Sequence, residues 1–243
     1  MKKSSYAIDT FNFYPGRILA KKYEVISKLG EGWEGEVYLV REQITGIERA
    51  AKFFYPQRNL NNKSFIYYAQ KLHLLAHCDI LIKYVTQESI TYRGMPIIFM
   101  VSEYVEGELL SEFLLRQPGK RLQECQALLL LHSMAKGIET IHHQREYHGD
   151  LHTDNIIIKR YGIGFNVKLL DMYHWGAPSK ANIHKDVCDL VRIFYDALGG
   201  QKNYTRLSPE IKSIICGLKQ SLILKKFRSA GQLCSYLENI QWQ

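Results

Sequence analysis

The hydrophobic pattern divides the chain into a first half rich in strands and a second half rich in helices. Apolar and polar residues alternate from Tyr23 to Leu29, which is typical of a half-exposed strand. Three short apolar runs that also resemble strands follow at 37–41, 49–54 and 97–101. From Leu109 onward the apolar residues recur every three or four positions, most clearly over 122–143, and this spacing predicts helices.

Two further helices are indicated by their first residues. Residues 62–76 have helical periodicity and an asparagine-rich start that suits capping. Ser208-Pro209-Glu210 has a capping serine followed by proline and an acidic residue, which is typical of a helix start. A new helix is also predicted to begin at Asp186.

The composition fits a folded protein with a cationic surface. The chain has 243 residues, 46% of them hydrophobic and 23% charged, which is enough for a packed core in one large domain or two small ones. The formal net charge of +8 suits an anionic ligand such as a nucleotide, but also nucleic acid, an acidic protein or a membrane surface. Because the basic residues are scattered, we favour a solvated surface over nucleic-acid binding.

The cysteines and the apolar runs bear on location. The five cysteines are far apart and contain no C-x-x-C pair, so the sequence favours reduced thiols over a disulfide framework or a zinc site. No apolar stretch follows Lys2-Lys3, and the dense run 127–131 is too short to span a bilayer. We therefore expect a cytoplasmic protein without a membrane span.

Three oxygen-bearing side chains flank a predicted β-hairpin. Asp150 and Asn155 lie five residues apart before the apolar run 156–158, and Asp171 follows the second run, 167–170. Phosphoryl transfer needs one group that accepts the proton of a hydroxyl and two that hold Mg²⁺ against the phosphates. An Asp-x4-Asn pair often occurs by chance, so this interpretation depends on the rest of the chain.

A glycine-rich turn and a lysine support it. Gly30, Gly32 and Gly35 form a G-x-G-x-x-G pattern that would fit a hairpin turn or a dinucleotide-binding turn. A strand, 37–41, follows rather than a helix, and this arrangement resembles the glycine-rich loop of kinases, which implies a loop lying over ATP phosphates. Lys52, in the next apolar run, resembles the kinase lysine that contacts those phosphates, although a lysine at a sheet edge can also extend its charge to water.

Together these motifs resemble those of the protein-kinase superfamily. His148-Gly149-Asp150-Leu151 with Asn155 is similar to the H-R-D-L-x-x-x-N catalytic loop, and Asp171-Met172-Tyr173 is a degenerate D-F-G. Arg49-Ala50-Ala51-Lys52 resembles the V-A-I-K strand. The form of the catalytic loop, H-G-D-L-H, resembles that of aminoglycoside- and choline-kinase-like enzymes as well as that of divergent bacterial protein kinases. With the glycine loop, the lysine strand and the hinge sequence, the resemblance favours a compact bacterial kinase of the eukaryotic Ser/Thr type.

The resemblance implies an α+β, bilobal fold. It predicts an N-lobe of a small antiparallel sheet plus one helix over about 22–102, a hinge at 103–107 and a mainly helical C-lobe over about 108–243. Residues 1–21 would be an N-terminal extension that packs loosely or frays.

The resemblance also implies roles for individual residues. Asp150 would act on the proton of the acceptor hydroxyl, Asn155 and Asp171 would hold Mg²⁺, and ATP would be the phosphoryl donor. His152 joins Asp150 and Lys52 as a catalytic candidate, because it replaces a lysine that contacts the transferring phosphate. The implied nucleotide-binding residues are Gly30, Gly32, Gly35, Val37, Ala50, Lys52, Glu103 and Val105.

Four other positions have implied structural roles. Ser102 would be a small gatekeeper residue beside the adenine. His148 is expected to anchor the catalytic loop by hydrogen bonds, and Asp186 to tie the same loop down. His142 is expected only to pack.

The sequence departs from the family pattern around Lys52. The family's third helix carries a glutamate that pairs with this lysine, but no acidic residue occurs from 53 to 78, and Tyr68 stands at the best-matching position. Asp171 or Gln70 would have to serve instead. Glu34, at the tip of the glycine-rich loop, would repel a triphosphate unless it points outward.

Three functions therefore remain open. A Ser/Thr-type protein kinase fits the glycine loop, the lysine strand and the hinge sequence, and Gly149 in place of arginine implies no switch by activation-loop phosphorylation. His152 and the short segment 172–180 suggest a small-molecule kinase of the aminoglycoside- or choline-kinase type. The missing helix glutamate would fit a nucleotide-binding scaffold without catalysis. The acceptor would accordingly be a protein or a small-molecule hydroxyl.

Overall fold

A computed structural model of the chain describes residues 7–172 and 176–240 and contains two compact units. The first unit comprises the described residues up to Ala76 together with Ile82–Val105, and the second comprises His77–Leu81 and the residues from Glu106 on. Tyr173, the last residue of the degenerate D-F-G, lies outside the described residues. Within the described ranges, no helix combines the length and the hydropathy that crossing a bilayer requires.

An antiparallel six-stranded sheet forms most of the first unit. Its strands are Ile18–Leu19 (β1), Tyr23–Glu31 (β2), Gly35–Glu42 (β3), Glu48–Phe54 (β4), Tyr84–Tyr92 (β5) and Met95–Glu103 (β6). The strand order is β1-β2-β3-β4-β6-β5, so that β4, which carries Lys52, lies between β3 and β6. The strands predicted from the alternating pattern and the apolar runs are confirmed.

One α-helix, Lys63–Leu74 (α1), follows β4 and confirms the prediction for 62–76. Its cap differs from the expected one. Asn62 adopts a left-handed conformation with φ of 58° and makes no side-chain cap. Instead, the amide oxygen of Asn59 accepts a hydrogen bond from the Phe65 N–H at 3.2 Å. An asparagine does satisfy the helix start, but it lies three residues earlier in the chain.

The segment expected to pack loosely before residue 22 is part of the core. Ile8, Phe11 and Phe13 are buried in the hydrophobic cluster of the first unit, and the Phe11 ring stacks on Tyr55 with 5.6 Å between centroids. The expectation of loose packing is therefore wrong for this part of the segment. The alternation that predicts strands gives no signal here, because these aromatic residues are buried through a segment without regular secondary structure.

A buried carboxylate fixes this segment to the sheet. Glu36, on β3, accepts hydrogen bonds from the Phe11 N–H at 3.2 Å and the Tyr55 hydroxyl at 3.2 Å, and also from the Tyr38 hydroxyl. Burial, the largest influence, raises the pKa of Glu36, but the hydrogen bonds outweigh it and the net pKa is lowered. Burial and the Glu36 charge raise the pKa of Tyr55 to about 12. Glu36 is thus held in its charged form.

The second unit is mainly helical. Its helices are Leu110–Arg116 (α2), Glu124–His143 (α3), Lys180–Ala197 (α4), Pro209–Ile215 (α5), Gln220–Lys226 (α6) and Ala230–Glu238 (α7). Its antiparallel sheet has the order β7-β8-β9, with strands Glu108–Leu109 (β7), Ile156–Tyr161 (β8) and Gly164–Leu169 (β9). The predicted α+β class is confirmed.

The long helix α3 contacts both α4 and α7. Its buried face includes Leu131, Ala135, Ile138 and Ile141, as its apolar periodicity predicts. The predicted start of α4 at Asp186 is wrong, because the helix begins at Lys180, where the Ser179 hydroxyl accepts a hydrogen bond from the Asn182 N–H at 3.3 Å. The first turns of α4 are polar, so the hydrophobic pattern did not reveal them.

Candidate active site

The loop between α3 and β8 is fixed at its start by one buried carboxylate. The side chain of Asp186, on α4, accepts hydrogen bonds from the His148 N–H at 2.8 Å and the Gly149 N–H at 2.7 Å. Asp186 is fully buried, so these bonds are shielded from water. The expectation that Asp186 ties the loop down is confirmed.

Two histidines complete this anchor. His148 is buried, and its Nδ1 accepts a hydrogen bond from the Asp150 N–H at 3.3 Å, which confirms its role in holding the loop. His142 does more than pack, because its Nε2 lies 3.0 Å from Oδ2 of Asp186. The expectation for His142 was incomplete, since a helical histidine can face a carboxylate that is remote in sequence.

Sequence reasoning did not identify Lys185 as part of the anchor. Its Nζ donates to the carbonyl of Gly149 at 3.0 Å and to Oδ2 of Asp189 at 2.6 Å. Burial raises the pKa of Asp189, and Lys185 partly opposes that shift. The spacing of Lys185 and Asp189 by four residues on one helix was the signal that could have revealed this pair.

Asp150 and Asn155 are directly bonded to each other. The side-chain nitrogen of Asn155 donates to the Asp150 carbonyl at 2.9 Å and to Oδ2 of its carboxylate at 3.1 Å. Asn155 is buried, whereas the Asp150 side chain is about half exposed. Because the nitrogen end of the amide is engaged by Asp150, its oxygen is the end that can ligate a cation.

Asp171 lies next to Asn155 along the β8–β9 hairpin. Ile156 and Leu169 are paired across the two strands, and the Leu170 N–H donates to the Asn155 carbonyl at 2.8 Å. Asp171 itself has a positive φ of 48°, which is uncommon for a residue other than glycine. The structure thus brings together the main chains that carry the two predicted metal ligands.

His152 lies between two carboxylates of the same loop. Its Nε2 is 3.7 Å from Oδ2 of Asp150, and its Nδ1 is 3.5 Å from Oδ2 of Asp154. The Nδ1 also accepts a hydrogen bond from the Asp154 N–H at 3.3 Å. Since its side chain is 46% exposed, His152 can reach a ligand beside Asp150.

The glycines of the loop between β2 and β3 differ in what surrounds them. A Cβ on Gly35 would lie 1.8 Å from the Phe53 carbonyl oxygen, so the close approach of β3 to β4 requires glycine there. A Cβ on Gly30 or Gly32 would meet open space. Gly35 is therefore needed by the sheet itself, whereas the other two leave space for a ligand.

The Lys52 ammonium group contacts a carboxylate and two aromatic rings. Its Nζ is 3.3 Å from Oε2 of Glu34, 5.0 Å from the Tyr68 ring centroid and 5.3 Å from that of Phe54. Glu34 contacts Lys52 rather than pointing outward. Tyr68, at the position where the family carries glutamate, is buried against the lysine, whereas Gln70 is exposed on α1.

The predicted adenine-binding residues Ala50 and Glu103 lie on β4 and β6, two inner strands of the same sheet. Ala50 on β4 is paired with Ser102 on β6, and Ser102 is buried. The Glu103 N–H donates to the carbonyl of Lys83 at 2.9 Å, and the Glu103 carbonyl accepts a hydrogen bond from the Ser102 hydroxyl at 3.4 Å. Val105 is half-buried at the end of the first unit.

The predicted site residues are therefore divided between the two units. The glycine-rich loop, Val37, Ala50, Lys52, Glu103 and Val105 belong to the first unit. Asp150, His152, Asn155 and Asp171 belong to the second. The residues predicted to bind the phosphates and the base thus lie in the first unit. The predicted proton acceptor and the predicted metal ligands lie in the second.

Comparison with known proteins gives one family. Residues 23–211 match the model of the protein kinase domain. Similar curated proteins include calcium-dependent protein kinase 4 of Plasmodium falciparum, which is 30% identical over 146 residues, covering 58% of this chain and 26% of that protein. Serine/threonine-protein kinase bur1 of Neurospora crassa is 30% identical over 149 residues, with the same two coverages.

A plant kinase matches a longer stretch. Cyclin-dependent kinase B2-2 of Arabidopsis thaliana is 26% identical over 164 residues, covering 63% of this chain and 50% of that protein. The chain thus spans between about a quarter and a half of the length of these three relatives. All three come from eukaryotes, so a bacterial origin stays a prediction.

Proposed function

Because this chain belongs to the protein kinase domain family, we propose that it is an ATP-dependent phosphotransferase acting on serine or threonine hydroxyls of proteins. The observation that carries the proposal is the Asp150–Asn155 hydrogen bond on a loop that Asp186 holds by two main-chain bonds. A carboxylate held in a fixed direction but open to solvent can meet a substrate hydroxyl. Residues 22–102, 103–107 and 108–243 are the proposed N-lobe, hinge and C-lobe.

Asn155 and Asp171 are suited to hold Mg²⁺. A carboxamide oxygen and a carboxylate are hard oxygen donors, which Mg²⁺ prefers. The amide nitrogen of Asn155 is engaged by Asp150, which turns the oxygen toward a cation. Bound Mg²⁺ would neutralise charge on the phosphate oxygens during transfer.

Asp150 is the proposed proton acceptor. The hydroxyl oxygen of the acceptor attacks the γ-phosphorus, the bond between that phosphorus and the β–γ bridging oxygen breaks, and ADP leaves. Asp150 orients the hydroxyl and takes its proton, while Asn155 keeps the carboxylate in place. His152, 3.7 Å from that carboxylate, is the residue we assign to the transferring phosphate in place of the family's lysine.

The first unit is proposed to hold the nucleotide. Lys52 contacts the α- and β-phosphates, and Gly30 and Gly32 allow the loop to approach them, while Gly35 keeps β3 close to β4. Ala50 and Val37 cover the adenine, and the main chain of Glu103 and Val105 binds its edge. Catalysis then consists mostly of positioning and charge neutralisation.

A small-molecule kinase is the second candidate function. It is favoured by His152 at the position of a lysine and by the short segment between Asp171 and α4, of which Tyr173–Trp175 lie outside the described residues. Two of the relatives are named as protein kinases, which favours a protein acceptor.

The test is an assay with γ-labelled ATP and Mg²⁺ on mixed acceptors. The proposal expects label on serine or threonine of protein acceptors, and its loss in Asp150→Asn. Label found only on hydroxylated small molecules would favour the second candidate. If the chain binds nucleotide but transfers no phosphate, and Asp150→Asn does not change that binding, both kinase functions are overturned. The chain would then be a nucleotide-binding scaffold without catalysis.

A further inference from the structure

The acid that faces Lys52 comes from the glycine-rich loop. The Glu34 carboxylate is 3.3 Å from Nζ of Lys52, and the chain contains no acidic residue from 53 to 78, where the family's third helix would supply one. The first unit contains both residues. The helix glutamate that usually pairs with this lysine is therefore missing, and another glutamate, Glu34, lies beside the lysine instead.

The surroundings of Lys52 make such a partner important. Its side chain is only 9% exposed and is covered by the rings of Tyr68 and Phe54. An ammonium group removed from water is costly unless an opposite charge or hydrogen bonds compensate it. Aromatic faces attract a cation but accept no conventional hydrogen bond from it. The Glu34 carboxylate supplies both charge and acceptor atoms.

Glu34 is held in place by its own main chain. Its carbonyl accepts a hydrogen bond from the Tyr55 N–H at 2.8 Å, just past the end of β4. The next residue, Gly35, fits closely against the Phe53 carbonyl. The residue before Glu34, Trp33, contacts Arg58, whose guanidinium carbon lies 4.1 Å from the centroid of the Trp33 ring. These contacts join the loop to the strand that carries Lys52, so the carboxylate does not depend on the position of α1.

We propose that Glu34 is the positioning residue for Lys52, holding its ammonium group toward the nucleotide phosphates in the role that a helix glutamate has elsewhere in the family. This inference rests on the proposed function of Lys52. It has a regulatory consequence: the acid that sets the lysine comes from the glycine-rich loop rather than from α1.

A competing possibility is that the Glu34 charge opposes nucleotide binding. Two negative groups would then compete for one lysine, and removing the carboxylate would strengthen ATP binding. The main-chain anchors of Glu34 argue against this, because a side chain that starts from an anchored main chain can contact one side of the ammonium group while phosphate takes another. An ammonium group has three N–H donors, enough for both.

The test compares Glu34→Gln with Glu48→Gln in the full chain. Glu48 lies on β4 and pairs with Arg41 at 3.0 Å, so its substitution removes the same charge from the same sheet without touching Lys52. For Glu34→Gln we expect kcat/KM for ATP to fall by about 10-fold, as the loss of a charge-assisted hydrogen bond implies. Calorimetry should also show weaker binding of a non-hydrolysable ATP analogue, whereas Glu48→Gln behaves as wild type.

Two further variants separate positioning from a general structural effect. Adding Tyr68→Glu to Glu34→Gln returns a carboxylate to the lysine from α1 and should recover affinity and rate. In a Lys52→Met background, Glu34→Gln should have no further effect on analogue affinity, because there is no ammonium group left to position. The comparison in the Lys52→Met background tests whether Glu34 acts through Lys52 even if the Tyr68→Glu variant folds poorly.

The inference is overturned if Glu34→Gln matches Glu48→Gln in both affinity and rate, or if it binds the analogue more tightly than wild type. It is also overturned if Glu34→Gln weakens binding equally with and without Lys52. Failure of the proposed function would look different: the wild type would transfer no phosphate, while the calorimetric comparison would still report on Glu34 and Lys52.

Discussion

The side-chain nitrogen of Asn155 donates to both the main-chain oxygen and the carboxylate of Asp150, at 2.9 and 3.1 Å. One residue therefore closes the loop from Asp150 to Asn155 and orients the side chain that is proposed to accept the proton. The oxygen of the Asn155 side chain is the atom that could bind a cation. A single side chain thus joins the proposed proton acceptor to one of the proposed Mg²⁺ ligands.

Asp150→Asn tests the proton acceptor. It keeps the shape of the side chain but removes the charge, so we expect kcat to fall by about 10²- to 10⁴-fold, the usual contribution of general base catalysis. The rate of γ-phosphate transfer measures this. Asp154→Asn, the same change four residues along in an exposed position, should have a far smaller effect, and equal losses in the two variants would contradict the assignment.

Asp186→Ala tests the anchor of the loop. It leaves the His148 and Gly149 N–H groups without their buried acceptor, so we expect the free energy of unfolding to fall by about 2–4 kcal/mol. Urea unfolding of the wild type and the variant measures this. Asp196→Ala, at an exposed position of the same helix, should cost much less. A similar cost for both would mean that the anchor adds little stability.

Glu36 should make the first unit sensitive to acid. Its folded-state pKa is lowered, so its stabilising contribution is fully present above the ordinary glutamate pKa of about 4.3 and is lost as the pH falls through the lower folded value. We expect the stability difference between wild type and Glu36→Gln to be largest near pH 6 and to shrink below pH ~4. Urea unfolding across this range measures it. A difference that does not change with pH would show that the charge is not what Glu36 contributes.

Phe11→Ala tests whether the N-terminal segment belongs to the core. Phe11 is buried among aromatic rings of the sheet, so its truncation should destabilise the chain by about 3–5 kcal/mol. Tyr14→Ala is the matched control, because Tyr14 is 65% exposed. Thermal and urea unfolding give the comparison, and two equally mild variants would mean that the segment packs loosely after all.

The sequence predicted most of the second unit's site because its parts are local. His148, Asp150 and Asn155 lie within eight residues, and the hairpin that leads to Asp171 has a clear apolar pattern. A short motif therefore predicted the loop and the residues that are proposed as metal ligands. Asp186 was also assigned correctly, although the additional partners His142 and Lys185 were not, since their roles depend on how α3 and α4 pack.

The partner of Lys52 could not be predicted in the same way. Glu34 is 18 residues away in the chain, and its contact depends on the turn between β2 and β3 and on the Tyr55 N–H that holds it. The sequence shows that Glu34 is charged, but not that its side chain points toward Lys52. The buried aromatics before β1 were missed for a related reason. Phe11 and Phe13 alternate with exposed residues over too short a stretch to predict a strand, and the rings that bury them come from β3, β4 and Tyr55.

A Mg²⁺ titration of the phosphoryl-transfer rate in wild type, Asn155→Ala and Asp171→Asn tests the proposed site at its metal ligands. We expect a rate that requires Mg²⁺ and a half-saturating concentration raised by at least about 10-fold in both variants, because each removes an oxygen ligand. Asn166→Ala, an exposed asparagine on β9, should titrate as wild type. Transfer without a divalent cation, or titrations that are identical for all four proteins, would contradict the account.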